Sequence, residues 1–225
     1  MNKKQIISIV DSHKVFFKVI FGVLNKMPFN NFFGGIKKVD VGLSLLRGCK
    51  IVNRGQNNQI VIGNYSRLVD CMITIRGNNN TIVIGDKCIC RQATFCIEDD
   101  NNSIEIGEGT ALCGQIQLAA IEGTSIRIGR GYLFSSKIDI RTGDSHSLIQ
   151  QGTRKRINQS ASIAIGDHVW IGTGVTILKG TSIAENCMVG AASLLCRSYA
   201  NPHCVIAGVP AKEVKYDIDW LAERI

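Results

Sequence analysis

The sequence is poor in proline and in aromatic residues, with only 3 prolines and 6% aromatic residues in 225 positions. It also lacks any uncharged apolar run near the roughly 18 residues of a membrane-spanning helix, so we expect no such span. Glycine, by contrast, occurs 23 times, which favours short β-strands joined by tight corners over a bundle of helices. With 45% hydrophobic and 20% charged residues, the chain can bury a core, and wholesale disorder is excluded.

Negative charge is scarce in the first quarter of the chain. Residues 1–54 hold ten Lys or Arg and two acidic residues, a net charge of +8 that equals the net charge of the whole chain. The segment has no Arg-rich or recognition-helix pattern, so we expect no nucleic-acid partner.

The nine cysteines are an odd number, and most lie among aliphatic residues, as buried thiols do. Cys88 and Cys90 have no second thiol pair or histidine pair at zinc-binding spacing, so we expect no metal. Reduced cysteines predict a cytoplasmic protein.

Ile-Gly pairs recur every 22 residues, at Ile62-Gly63, Ile84-Gly85, Ile106-Gly107 and Ile128-Gly129. Three of the repeats contain an Asn-rich stretch, and Asn and Gly tolerate the left-handed backbone conformation of sharp corners. Two further columns have the same spacing and are expected to stack in a solenoid core: Met72, Thr94, Ile116, Ile138 and Thr74, Cys96, Leu118, Ile140.

From residue 165 the period is six, through Ile165, Ile171, Ile177, Ile183, Val189 and Leu195. Six residues make one short strand plus a corner, so three units close a triangular coil of 18 residues. The 22-residue units are then the same coil with one longer corner. A right-handed β-helix also accommodates 22 residues per coil, but the strict hexads favour the left-handed form. The sequence therefore predicts an all-β, left-handed parallel β-helix.

The β-helix is predicted over residues 36–215. Within the N-terminal segment 1–35, residues 4–26 have the spacing of an amphipathic helix with basic flanks. This helix either caps the prism or packs between subunits, or it lies on an anionic membrane surface. Residues 216–225 are predicted to form a short C-terminal helix that covers the other end.

The repeat is interrupted once. Another Ile-Gly pair is expected at residue 150 but occurs at Ile165-Gly166, so about 15 residues form an inserted loop at about 143–161. A solenoid core does not need this loop, and function concentrates in such excursions from a rigid scaffold.

The hexads IGDHVW, IGTGVT, ILKGTS and IAENCM, with CVIAGVPAK at residues 204–212, resemble the left-handed β-helix hexapeptide acyltransferases. The stretches RTGDSHSL, GTRKRIN and IGDHVWIG are similar to the O-acetyltransferases of bacterial capsule and lipopolysaccharide synthesis, including those for sialic acid capsules. The likeness is specific over about residues 125–216 and looser back to about 50. It implies a homotrimer that uses acetyl-CoA to acetylate a sugar hydroxyl of a surface polysaccharide.

Acetyl transfer from a thioester to a hydroxyl needs a base, and the unperturbed pKa of histidine, about 6.5, suits that task. His146 in the inserted loop is the best candidate. His13 lies in the N-terminal helix, His168 lies inside a hexad, and His203 lies in the loop that leaves the last hexad. The resemblance also places the catalytic histidine on His146. Asp144 either orients the imidazole or caps the loop entry.

The resemblance implies a donor groove between neighbouring chains of the trimer. It assigns the thioester and pantetheine contacts to Trp170, Gly172, Gly190 and Ala191, and the phosphate contacts to Arg197 and Lys212. The alternatives are ordinary corner geometry for the glycines, a solvated edge for the two cations, and packing against the acceptor sugar for Trp170. Cys196 departs from related enzymes, which can carry a larger polar or aromatic residue there.

The basic triplet Arg154-Lys155-Arg156 has three interpretations: a clamp for an anionic acceptor, a contact to CoA phosphates across the trimer, or a solvated loop.

Other functions of the protein also stay open. An acetyltransferase for a small sugar, amino acid or antibiotic shares every donor feature. A carbonic-anhydrase-like enzyme of the γ class would need three convergent histidines. A non-enzymatic solenoid scaffold needs no donor site. Membrane contact would place a cytoplasmic enzyme at the inner face of the cell membrane.

Overall fold

The structure, a computed structural model, describes residues 3–25, 30–33 and 39–225. The predicted domain boundary between residues 35 and 36 lies outside the described residues. The helices are α1 (Lys3–Ser12) and α2 (Lys14–Asn25), and the strands are β1 (Asn31–Phe33), β2 (Val39–Asp40), β3 (Leu45–Arg47), β4 (Lys50–Asn53), β5 (Gln59–Ile62), β6 (Arg67–Val69), β7 (Met72–Arg76), β8 (Thr81–Ile84), β9 (Ile89–Glu98), β10 (Ser103–Ile106), β11 (Ala111–Ala120), β12 (Ser125–Ile128), β13 (Leu133–Phe134), β14 (Ile138–Arg141), β15 (Ile163–Ile165), β16 (Trp170–Ile171), β17 (Thr176–Ile177), β18 (Ser182–Ile183), β19 (Met188–Val189), β20 (Leu194–Leu195), β21 (Ser198–Tyr199), β22 (Val205–Gly208) and β23 (Ala211–Lys215).

The strands stack in parallel into the three faces of a triangular prism. Face 1 consists of β2, β5, β8, β10, β12, β15, β18 and β21. Face 2 consists of β3, β6, the first parts of β9 and β11, β13, β16, β19 and β22. Face 3 consists of β1, β4, β7, the second parts of β9 and β11, β14, β17 and β20. The predicted parallel β-solenoid is confirmed.

Neighbouring coils have the predicted lengths. Residues paired between β10 and β12 are 22 apart, and residues paired between β16 and β19 are 18 apart. The offset between β14 and β17 is 37 residues, which exceeds the 22-residue coil by 15 and confirms the size of the insertion.

The repeated aliphatic residues form the core, as predicted. The six hexad residues from Ile165 to Leu195 are each at most 4% exposed, and the isoleucines of the four Ile-Gly pairs are at most 2% exposed. Each such buried side chain contributes about 1.5–3 kcal/mol relative to exposure, so the repeat itself stabilises the fold.

The two further predicted columns are wrong in their register. Met72 and Thr94 pair on the outside of face 3, where Met72 is 39% exposed. Thr94 then pairs with Gln117, because β11 has a register shift between Cys113 and Ile116. Alternate strand residues point to opposite sides of a sheet, so this shift of one residue turns Ile116 into the core. The buried column of face 3 is Ile51, Ile73, Phe95, Leu118, Ile140, Ile177 and Leu195.

Stacked asparagines build the edge between faces 3 and 1, which we name the loop edge. The amide N–H of Asn80 donates to Asn58 Oδ1, and that of Asn102 donates to Asn80 Oδ1, both at 2.8 Å. Thr124 continues this ladder at 3.0 Å, and its hydroxyl donates to Thr142 Oγ1 at 2.6 Å. The side chains thus satisfy backbone groups at successive corners, up to the point where the inserted loop leaves.

The N-terminal segment forms two helices instead of the single helix predicted over residues 4–26. The break lies at His13, whose Nδ1 is 2.9 Å from Ser12 Oγ and 3.2 Å from the Ile9 carbonyl oxygen. Ser12 Oγ donates to the same carbonyl at 2.9 Å. Such local side-chain bonds compete with the helical ladder and explain the break.

The helices cap the first coil of the prism. Asn25 Nδ2 donates to the Ser44 carbonyl at 2.9 Å, and the Leu46 N–H donates to Asn25 Oδ1 at 2.8 Å. Asn25 therefore satisfies backbone groups at the open edge of β3, which would otherwise lack a neighbouring strand. One side of the N-terminal helices is thereby packed against the prism.

The predicted C-terminal helix is absent, because residues 216–225 contain no helical turn. The chain instead turns back through β23, which pairs antiparallel with β22. Trp220 is 8% exposed, stacks on His168 with ring centroids 4.4 Å apart, and donates from Nε1 to the His168 carbonyl at 2.9 Å. Ten residues are too few for a stable isolated helix, so burial of the indole decides the conformation.

Candidate active site

The inserted loop leaves the prism at the loop edge, between β14 and β15. Its middle folds back on itself, with an antiparallel bridge between Ile149 and Arg156. The Gln150 N–H donates to the Lys155 carbonyl at 2.8 Å. The loop is therefore a hydrogen-bonded excursion from a rigid scaffold.

Asn158 anchors the first half of this loop. Its side chain is buried, and Nδ2 donates to Asp144 Oδ2 at 2.8 Å and to the His146 carbonyl at 2.7 Å. Asn158 Oδ1 accepts the Leu148 N–H at 2.7 Å. One buried amide thus binds the Asp144 carboxylate before the candidate base and the backbone at His146 and Leu148.

Arg156 anchors the second half of the loop. Its guanidinium donates to Glu122 Oε1 at 2.7 Å and to the Asn158 carbonyl at 3.2 Å. Arg156 and then Ser160 hold the pKa of the Glu122 carboxyl below its usual value. Arg156 is therefore engaged within its own chain, while Arg154 and Lys155 are exposed beside it. Of the basic triplet, only these two cations face solvent for a ligand.

Asp144 binds a lysine from the next coil. Lys179 Nζ lies 2.5 Å from Asp144 Oδ2 and also donates to the Asn158 carbonyl at 3.1 Å. The hydrogen bond from Lys179, and next that from Asn158, lower the pKa of the Asp144 carboxyl. Asp144 makes no hydrogen bond to the His146 ring in the described part of the chain. Asp144 thus ties the loop to the prism.

His146 is the one histidine of the four whose imidazole makes no hydrogen bond within the described residues. The other three rings bond to Ser12, Asn186 and the Ile218 carbonyl. His146 is exposed, whereas its carbonyl is held by Asn158. An open imidazole on an anchored backbone has the geometry required of a base for an incoming hydroxyl.

We expect Asp144→Asn to lower kcat by no more than about fivefold, because an exposed ion pair contributes up to about 1 kcal/mol. The lowered pKa keeps this carboxylate ionised above its unfolded value of about 3.9, so its anchoring weakens only as the pH falls through the still lower folded value. The midpoint of kcat/KM against pH should therefore stay in place. Profiles of the wild type, Asp144→Asn and the exposed control Asp217→Asn check this. A hundredfold loss or a moved midpoint would show that Asp144 acts on the ring.

Sequence reasoning missed Asn158, Lys179 and Glu122. Lys179 lies in the hexad ILKGTS, and Glu122 lies at the corner after β11; each looks like a solvated edge residue in the sequence. Their partners are 34 to 35 residues away along the chain. The sequence offers one signal for these contacts. A separation close to one coil plus the inserted loop brings two residues back to the loop edge.

Trp170 lies on face 2, which is the face opposite the loop edge. Its indole Nε1 is buried and has no hydrogen-bond partner in the described chain. Its neighbours in the outward column of face 2 are also apolar, namely Leu133, Met188 and Val205. Outward positions of a solenoid normally meet water, so this column suits a surface that another chain covers.

Gly172, Gly190 and Ala191 lie together at the edge between faces 2 and 3, which we name the glycine edge. A Cβ atom on Gly172 would lie 2.7 Å from the Ala191 amide nitrogen, so stacking of the coils requires that glycine. Arg197 lies elsewhere, at the loop edge, and Lys212 lies in β23. One chain therefore does not bring the six predicted donor residues into one groove.

His168 stacks on Trp220, and its Nδ1 lies 3.1 Å from Asn186 Oδ1. No group of three or more His, Cys, Asp or Glu residues in the described ranges is placed to hold a metal ion. No helix among those residues is long and apolar enough to cross a membrane.

Comparison with known proteins identifies the scaffold. A sequence profile described as bacterial transferase hexapeptide (six repeats) matches residues 162–197. The polysialic acid O-acetyltransferase of Neisseria meningitidis is 36% identical over 177 residues, which are 79% of this chain and 81% of that protein. The crystal structure of the polysialic acid O-acetyltransferase OatWY has a TM-score of 0.79 at 32% identity and covers 88% of this chain and 90% of its own. That of the polySia-specific acetyltransferase NeuO has a TM-score of 0.61 at 27% identity, over 78% and 83%.

The chain belongs to the hexapeptide-repeat acetyltransferase family. These matches also confirm the left-handed form of the β-helix that the hexads predicted. Two other curated relatives, both from Escherichia coli, align over shorter stretches, and the chain spans 54% of the length of one and 31% of the other.

Proposed function

We propose that this protein transfers an acetyl group from acetyl-CoA to a sugar hydroxyl of a bacterial surface polysaccharide, in a capsule or lipopolysaccharide, with His146 as general base. The observation that carries the proposal is the open imidazole of His146 on a backbone anchored by Asn158. The relatives support the acceptor class, because the Neisseria meningitidis protein and OatWY are both named for polysialic acid.

In this reaction a ring nitrogen of His146 accepts the proton of the acceptor hydroxyl while the hydroxyl oxygen attacks the thioester carbonyl carbon. A C–O bond forms, the C–S bond breaks, and the imidazolium returns the proton to the departing thiolate. A positioned general base of this kind contributes about 10²- to 10⁴-fold to the rate. Asp144 and Lys179 contribute by holding the loop, and Asp144 is therefore a positioning residue.

The donor is proposed to lie along the glycine edge, with its arm beside Trp170, Gly172, Gly190 and Ala191. Its phosphates are proposed to lie near Lys212 and, in the trimer proposed below, near Arg197 at the loop edge of the neighbouring chain. Ala191 fits this role best, because it is exposed and its N–H makes no hydrogen bond within the described residues. The N–H groups of Gly172 and Gly190 already donate to carbonyls of the following strands. These two glycines therefore contribute close packing and the absence of side chains.

The proposed site needs more than one chain. His146 projects from the loop edge, whereas Trp170 lies on the opposite face, so a single prism does not bring them together. The apolar column around Trp170 suits a surface covered by another chain. We therefore propose a homotrimer in which the loop of one chain meets face 2 and the glycine edge of its neighbour.

The acceptor is proposed to be an acidic glycan. Arg154 and Lys155 are exposed in the turn of the inserted loop and have no acidic partner in the described chain. They lie on the same loop as His146, so they can attract a negatively charged polymer towards the base. Arg156 is not available to the acceptor, because its guanidinium is paired with Glu122.

Titration of acetyl-CoA into the purified protein tests the proposal without a choice of acceptor. We expect saturable binding with one site per chain, followed by turnover on acidic glycans in preference to small sugars, amino acids or antibiotics. Heat of binding is measured by calorimetry, and light scattering establishes the assembly. Absence of binding by an intact assembly would contradict donor use, and turnover confined to small molecules would contradict the polysaccharide acceptor.

A further inference from the structure

The outer side of α2 is apolar. Val15 is 82% exposed, Phe16 62%, Val19 63% and Val23 59%. At about 100° per residue these four side chains fall within one arc of about 100°, which we name the α2 stripe. The stripe faces away from the prism, because the opposite side of α2 carries the buried Asn25. The proposed acetyl transfer makes no use of this surface.

The surroundings of the stripe are strongly basic. The first 54 residues carry the whole net charge of +8. The exposed cations of α2 and of the first coil include Lys14, Lys18, Arg47 and Arg54. The acidic residues of this segment are Asp11 and Asp40, and Asp11 forms an ion pair with Lys14 at 3.2 Å. A partner for the stripe therefore has to be apolar and also negatively charged.

We infer that the α2 stripe docks on a bilayer surface that contains acidic phospholipids. Valine and phenylalanine side chains enter the boundary between headgroups and acyl chains. Lys18, which lies about 60° around the helix from Val15, meets the anionic headgroups. The helix has 12 residues, about 18 Å, so it lies in the plane of the interface and does not cross it.

The position of α2 at one end of the prism favours a bilayer over a second copy of the chain. Two such ends brought together would place two basic segments against each other, and their charges would repel. In the proposed trimer of parallel prisms, on which this step rests, three stripes lie at the same end and act together on one flat surface. From β4 to β14 there are four strand spacings, so the inserted loop stands about 19 Å above the first coil.

Co-sedimentation with vesicles tests the inference. We expect the full chain to bind phosphatidylcholine vesicles that contain phosphatidylglycerol at least about tenfold more strongly than pure phosphatidylcholine vesicles, with the difference falling as salt is raised. The double variant Phe16→Glu, Val19→Glu should lose about tenfold or more of this binding. Leu221→Glu is the control, because it places one of these glutamates, half of the charge added in the double variant, at a 60% exposed apolar residue of the C-terminal segment, and it should stay within about twofold.

Light scattering and acetyl-CoA titration of the same variants complete the test. We expect an unchanged assembly and unchanged donor affinity in the double variant. A changed assembly would overturn the inference, because the stripe would then be a contact between subunits. Equal binding to both vesicle types, or equal loss in Leu221→Glu, would also overturn it. Lack of vesicle binding by a protein that still binds acetyl-CoA would leave the proposed acetyl transfer in place.

Discussion

Replacement of His146 by alanine is expected to lower kcat for acetyl transfer by about 10³-fold, with acetyl-CoA affinity and assembly unchanged. The loss is large because no other titratable side chain of the described residues is hydrogen-bonded to the His146 ring to take over the proton, and a positioned general base contributes about 10²- to 10⁴-fold. The fold should persist, since the exposed imidazole makes no hydrogen bond within the described residues. Steady-state kinetics on an acidic glycan measure the loss.

His13→Ala is the matched control, because it removes another exposed imidazole that lies between the two N-terminal helices, far along the chain from the loop. This variant should keep kcat within about twofold. Turnover by His146→Ala near the wild-type rate would remove His146 from the mechanism.

Replacement of Asn158 by alanine is expected to lower kcat about 10- to 100-fold, while acetyl-CoA affinity stays near that of the wild type. The substitution removes four hydrogen bonds at a buried side chain: two that it donates, to Asp144 and to the His146 carbonyl, and two that it accepts, from the Leu148 N–H and from Arg156 Nε. Each contributes about 0.5–1.5 kcal/mol, and together they hold the backbone that carries the base. Supporting residues of this kind affect activity by about 10- to 100-fold at other catalytic sites.

Gln159→Ala is the control for Asn158→Ala, because it removes one exposed amide from the next position, where Nε2 donates to the Arg156 carbonyl at 2.9 Å. A purely structural role for Asn158 would lower thermal stability and the amount of active enzyme, with kcat per active site unchanged. A positioning role predicts that Asn158→Ala has little further effect when His146 is already alanine, because the two residues act as one unit. Additive losses in that double variant would contradict the positioning role.

The repeat could be predicted because it is local. Each hexad places one aliphatic residue, Ile165 to Leu195, at the same point of each strand, and every one of them is buried in the structure. The columns through Met72 and Thr94 failed because their register depends on a shift inside β11, and the spacing of apolar residues alone does not reveal it. The prediction of a C-terminal helix was wrong because burial of Trp220 against His168 outweighs the weak local preference of ten residues for a helix.

The site was predicted only in part, for a similar reason. The break in the repeat located the inserted loop. His146 is the histidine of that loop, and its imidazole makes no hydrogen bond within the described residues. The partner of Asp144 was not foreseen, because Lys179 lies 35 residues further along the chain. Arg156 looked like one of three equivalent cations until its contact with Glu122 set it apart.

By itself, the sequence determined the left-handed parallel β-helix, the length of each coil, the place and size of the insertion and the candidate base. All of these follow from the short repeat periods of the sequence and from the single interruption of the repeat. The tertiary structure decided which side chains support the base, which face of the N-terminal helices stays open, and that His146 and Trp170 lie on opposite sides of one prism. These depend on contacts between residues many positions apart, and such contacts exist only once the coils have stacked.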